Sequence, residues 1–144
     1  MDKRLFLDEP MGLLAELLNL NMHERVQYDP ARNILFVNLE GWHARTKKDI
    51  DELRKTLVAA CEHVGKRVAS VVNHDGAKIA EALYDDYAEM IQYMMQHYYS
   101  TTARYATSAF ARLKMKEALA KRGLQPHVFE RKEAAHAFLE VVGG

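Results

Sequence analysis

Apolar positions change period several times along the chain, and each change marks an element. Arg67 to Gly76, RVASVVNHDG, is the stretch around which the others can be placed. The β-branched Val68, Val71 and Val72 form a short apolar run with amphipathic helical patterns on both sides, which predicts a strand buried on both faces of an α/β sheet. The run stops in Asn73, His74, Asp75 and Gly76, residue types that favour turns. Upstream, Arg25 to Tyr28 and Ile34 to Leu39 predict two strands of a β-hairpin, joined by Asp29 to Asn33, where Pro30 fixes φ and Asn33 tolerates a left-handed backbone. ILFVNL is apolar enough to lie inside the sheet beside the central strand.

Helices are predicted by spacings near 3.6. Ile50, Leu53, Leu57, Val58, Cys61 and Val64 share a stripe that begins after a partial capping box, Thr46 with Asp49, and ends at Gly65. Leu83, Tyr87, Met90, Ile91, Met94 and Tyr98 mark a second helix, with Asp85 and Asp86 at its positive end. Ala77 to Leu83, between strand and helix, fits neither period. Thr101 to Thr107 predicts a further strand, Ser108 a helix cap, and Lys121-Arg122-Gly123 the end of that helix near Arg122. Pro126 limits the next segment to a short edge strand, His127 to Phe129, and Ala134, Ala135, Phe138 and Leu139 predict a last helix. The expected fold is α/β: a small mixed sheet, hairpin first and parallel strands after, backed by about four helices.

Met11 to Leu20 carries Leu13, Leu14, Leu17 and Leu18 on one stripe and predicts a short amphipathic helix in a junction segment, 1–24, ahead of the domain at 25–144. A ten-residue helix is marginal alone, so its leucine face must rest on this domain or on something upstream.

Composition narrows the function. The 144 residues suit one domain, with 20 acidic and 20 basic side chains and a pI near 7.1, which argues against a nucleic-acid partner. Cys61 is the only cysteine, excluding an internal disulfide and a CxxC site and fitting a reducing cytoplasm. No apolar run approaches a membrane span, and MDKRLFLDEP lacks the apolar core of a signal peptide, so a soluble, unexported protein is expected.

The candidate ligand site is where the central strand ends, because open α/β sheets bind ligands at the carboxyl ends of their strands. Asn73, His74 and Asp75 are its first members. Trp42, in the loop after the hairpin, is a candidate ligand platform or, the favoured reading, a lid on the core, and His43 beside it is a candidate polar group. Ser108 and Arg112 could bind an anion at a helix start, although Ser108 lacks the glycines of a nucleophile elbow and reads first as a cap. The seven histidines contain no His-x-x-x-His pair, so no metal is expected, and no cofactor is implied. No catalytic residue is assigned; a His74–Asp75 base pair would be an enzyme's only visible machinery. Tyr84, Tyr87, Tyr93, Tyr98 and Tyr99, with Met90, Met94 and Met95, exceed what one core face needs, so part of that surface could cover a partner, and homo-oligomer formation stays open.

MDKRLFLDEPMGL, YDPARNILFVNLEG, VASVVNHDG and HYYSTTARYATSAFARLKMKEAL together resemble the C-terminal extension of bacterial acyl-CoA:acetate/3-ketoacid CoA transferases. The resemblance covers almost the entire chain and is most specific at MDKRLF and at Tyr98 to Phe110. In those enzymes a glutamate carries CoA as a thioester while CoA moves between carboxylic acids. That glutamate belongs to the upstream domains, and no residue here matches its motif. The resemblance therefore implies a non-catalytic accessory domain whose partner is the catalytic part of the parent enzyme. The element order is also similar to the STAS, or anti-sigma-factor-antagonist, fold. Regulatory members of that fold carry a phosphorylated serine after the central strand; Asn73 to Ile79 contains neither serine nor threonine, which puts such a switch in doubt and leaves a small anionic or lipid-like ligand as the alternative role for the loop.

Overall fold

A computed structural model of the chain describes residues 21–143. The predicted helix at Met11 to Leu20 lies outside the described residues. The hairpin is formed by β1 (Val26–Asp29) and β2 (Ile34–Asn38), which pair antiparallel, and Asn33 closes the turn at φ 56°. A short β3 (His43–Ala44) precedes α1 (Lys47–Val64); β4 (Val68–Asn73) is the central strand; β5 (Lys78–Ile79) leads into α2 (Tyr84–His97). The chain then forms β6 (Tyr99–Tyr105), α3 (Ala109–Lys121), β7 (Val128–Phe129) and α4 (Lys132–Gly143). The main sheet has the order β1-β2-β4-β6-β7, parallel throughout except for β1.

That order is sequential, so successive right-handed crossovers put α1, α2 and α3 on one face. There Leu35, Val37, Val68, Val72 and Tyr99 pack against Leu53, Leu57, Met90, Met94 and Leu119. The opposite face is covered by α4, whose Ala135 and Leu139 meet Ile34, Phe36, Val71, Ala103 and Tyr105. Burial on both sides explains why every residue of β2 is apolar up to Asn38, and why all five are buried.

The helix ends follow local chemistry. The Asp49 carboxylate accepts from the backbone amides of Arg45 and Thr46 at 2.8 and 3.0 Å, supplying the carboxylate side of the capping box, and those bonds hold it below the ordinary carboxylate range. Gly65 ends α1 in the left-handed conformation, φ 80°. Tyr87, Met90, Met94 and Tyr99 of the aromatic group are buried, while Tyr84, Tyr93, Met95 and Tyr98 pack only partly against the core.

Two features depart from the sequence pattern. The sixth strand begins at Tyr99, two residues before the predicted Thr101, because Tyr99 pairs with Val68 across a bulge before the register settles at Ala69 and Thr101. The stretch Ala77 to Leu83 contains β5 and a 3₁₀ turn, Glu81–Leu83. β5 pairs in parallel with β3 as a second, two-stranded sheet, His43 opposite Lys78 and Ala44 opposite Ile79. Two-residue strands are too short for a period to announce them.

Candidate functional site

The loop after β4 organises the carboxyl edge of the sheet by reaching in two directions. Towards β2, the Asn73 side-chain amide donates to Asn38 Oδ1 at 3.3 Å and lies 3.5 Å from Glu40 Oε1, while the Leu39 amide donates to the Asn73 carbonyl at 2.9 Å. Towards β6, the His74 amide donates to the Tyr105 carbonyl, and Asp75 Oδ1 accepts from the Thr107 amide at 2.6 Å and the Thr107 hydroxyl at 3.1 Å. Asn73 Oδ1 also accepts from the Asp75 amide at 2.8 Å, a local turn that aims the carboxylate. The turn-forming residues therefore fasten three loops together.

Beside this junction lies a cleft of about 300 Å³, lined by His74 to Ile79, Tyr84, Ala106 to Ser108, Phe110 and Ala111. The apolar Ile79 and Phe110 share it with Lys78 and the start of α3. Ser108 accepts from the Ala111 amide at 3.1 Å, so it is the helix cap that its position predicts. Phe110 and Leu113, 64 % and 53 % exposed, stand on the first turns of α3. Lys114 lies over the Phe110 ring, 5.5 Å from its centroid, and pairs with Glu81 at 2.8 Å.

His74 and Asp75 are adjacent in sequence but turned to different partners. The His74 ring is buried, its Nε2 lying 2.7 Å from the Tyr87 hydroxyl with the two rings edge to face. Burial, then the Arg104 guanidinium, lowers its pKa to about 3, so the imidazole is neutral at ordinary pH. Burial likewise raises the Tyr87 phenol, with Arg104 acting in the opposite sense. Arg104 is fully buried on β6 and donates to the Pro126 carbonyl at 2.8 Å and Thr102 Oγ1 at 3.3 Å. Nothing in the β-rich pattern of Thr101 to Thr107 marks Arg104 as interior, since arginine is almost never fully buried without partners.

The predicted site residues divide. His74, Asp75 and Ser108 line the cleft. Asn73 lies behind it as the inter-loop latch. Arg112 turns onto the loop backbone, donating to the Ala106 and Thr107 carbonyls at 2.8 and 2.9 Å, and does not line the cleft. Trp42 is buried in the core that supports β3, and His43 is exposed on β3 opposite Lys78. Sequence reasoning missed Lys78, Phe110 and Thr107; the available signal was an aromatic side chain in the first turn after a cap. Among the described residues no group of three metal-ligating side chains converges, and no helix is long and apolar enough to cross a membrane. Comparison of the chain with protein-family models, curated proteins and solved structures finds no match.

Proposed function

We propose that the chain is a non-catalytic accessory domain of a cytoplasmic CoA transferase, docking on the part of the enzyme that moves CoA between carboxylic acids. The observation that carries the reading is the pair Phe110 and Leu113, more than half exposed beside a cleft whose loops are fastened from both sides. Large apolar side chains on a rigid edge make effective anchors, since a few buried residues supply most binding energy. The transferase identity comes from the sequence resemblance alone. The test uses a bacterial CoA transferase that carries this domain at its C-terminus, comparing the parent with a Phe110→Asp, Leu113→Asp variant. Loss of the native oligomeric state or of thermal stability, with the far-UV spectrum of the domain unchanged, supports docking through this edge; unchanged assembly, stability and turnover remove it.

The second reading is a STAS-like module for a small anionic or lipid-like ligand, favoured by the joining of Lys78, Ile79, Phe110 and the α3 N-terminus in one cleft. Thermal-shift titration with CoA, acyl-CoAs, nucleotides and fatty acids separates the two. A shift abolished by Lys78→Glu supports a ligand site, and no shift at millimolar concentrations counts against it.

A further inference from the structure

A second groove, about 490 Å³ in volume, lies between β1 and α1 and shares no lining residue with the cleft at the carboxyl edge. The hairpin contributes Val26, Tyr28 and Leu35, and α1 contributes a stripe running from Lys55 to Val64. In that stripe Lys55, Ala59 and His63 follow one another at four-residue spacing, beside the core-facing Leu53, Leu57 and Cys61. Ala59 and Ala60 leave the helix wall recessed, because each adds a single methyl. The polar atoms within the groove are already satisfied. The Tyr28 hydroxyl donates to Asn33 Oδ1 at 2.6 Å, which holds the ring as a fixed wall, and the Thr56 hydroxyl donates to the Glu52 carbonyl at 2.9 Å.

The rim is basic. Among the described residues the groove is lined by Lys55, His23 and His63 and by no acidic side chain. The acids next to the two histidines in sequence turn elsewhere: Glu24 accepts from the Asn21 amide at 3.3 Å, and Glu62 accepts from the Tyr98 hydroxyl at 2.9 Å. Topology gives the groove a direction. β1 runs antiparallel to β2, and a helix crossing between the parallel strands β2 and β4 also runs against them, so β1 and α1 run the same way. Lys55 and His23 therefore stand at the end nearer the carboxyl edge of the sheet, and Tyr28, His63 and Val64 at the other.

We propose that this groove binds a straight-chain aliphatic carboxylate, its tail lying between Tyr28 and the two alanines and its head at Lys55 and His23. The size and lining suit a small molecule, since such sites measure about 300–1,000 Å³ and combine apolar walls with a few polar groups that fix orientation. The length of the wall sets the length of the tail. From Lys55 to Val64 the helix rises about 14 Å. An extended chain advances about 3.6 Å for every three bonds, so about a dozen carbons span the wall. Lysine suits the head, because its methylene stem can lie along apolar surface while the ammonium stays in water. An anionic head complements a rim that carries basic groups and no acid, which a neutral lipid would leave unused. The assignment depends on neither reading of the carboxyl-edge cleft.

Isothermal titration of the full chain with hexanoate, octanoate, decanoate and dodecanoate, each below its micelle-forming concentration, tests the proposal. Affinity should rise about fourfold with each methylene buried and level off in tetradecanoate, once the groove is full. Ala59 is exposed on α1, so Ala59→Phe should keep the urea midpoint while filling the groove and weakening dodecanoate about tenfold or more. Lys55→Glu should weaken dodecanoate about tenfold and leave dodecanol unaffected. Lys78→Glu, in the other cleft, should change neither. The absence of saturable binding, affinity that ignores chain length, or binding that survives Ala59→Phe overturns the proposal. Equal loss of dodecanol and dodecanoate in Lys55→Glu overturns the carboxylate head, and loss in Lys78→Glu overturns the site in favour of the carboxyl-edge cleft. A dimer in sedimentation that Ala59→Phe splits and dodecanoate does not overturns it in favour of a second copy of the chain.

Discussion

The Asp75 carboxylate holds both hydrogen-bond donors of Thr107, its amide at 2.6 Å and its hydroxyl at 3.1 Å, and so fastens the loop after β4 to the loop that starts α3. The two residues are 32 apart in sequence, and the bond between them sets one wall of the cleft. Removing the carboxylate frees an amide and a hydroxyl at a partly wet site. Asp75→Ala should therefore cost about 1.5 kcal/mol in urea unfolding, the low end for bonds to charged groups. Thr107→Val, which keeps the amide, should cost less, and a double-mutant cycle should return a coupling of about 0.5 kcal/mol. Strict additivity would show that the Thr107 hydroxyl adds nothing to the clasp, leaving the amide bond to hold it.

Buried neutral His74 predicts a stability that depends on pH. Its pKa falls from 6.5 to about 3 on folding, so below pH 6.5 the unfolded chain takes up a proton that the folded chain refuses. The contribution is complete above pH 6.5 and is lost progressively as pH drops towards 3, with a limiting slope of about 1.4 kcal/mol per pH unit. Denaturant midpoints measured between pH 7 and pH 4 should fall more steeply for the native sequence than for His74→Gln. Equal slopes would mean that the ring is accessible to protons in the folded state.

Cys61 is buried on α1, and burial raises its thiol pKa to about 11. Thiolate is the reactive form, so the folded protein should resist a disulfide reagent at pH 8 and react with it stoichiometrically in denaturing urea. Rapid labelling under native conditions would place the α1 face in frequent contact with solvent.

Gly65 holds φ 80° with open space where a Cβ would lie, so Gly65→Ala introduces backbone strain without a clash. The expected loss is about 1 kcal/mol, read as a lower unfolding midpoint with an unchanged denaturant slope. Gly65→Asn should recover part of it, because asparagine tolerates the left-handed region.

Residue pattern alone determined the hairpin, the four helices, the central strand and the edge position of His127 to Phe129. Those elements announce themselves because burial on one face or both imposes a period of 3.6 or a run of β-branched residues over several turns or pairs. Ser108 as a cap and Gly65 as a helix end were also legible, since each answers to the few residues around it. Tertiary structure alone decided the β3–β5 sheet, which two residues on each side cannot signal, and the two-residue shift of β6, which depends on a bulge against β4. It also decided the uses of the turn residues. Asn73, His74 and Asp75 stand together in sequence, yet one latches β2, one is buried against Tyr87, and one clasps Thr107; partners 13 to 35 residues away chose among them, and no local pattern carries that information.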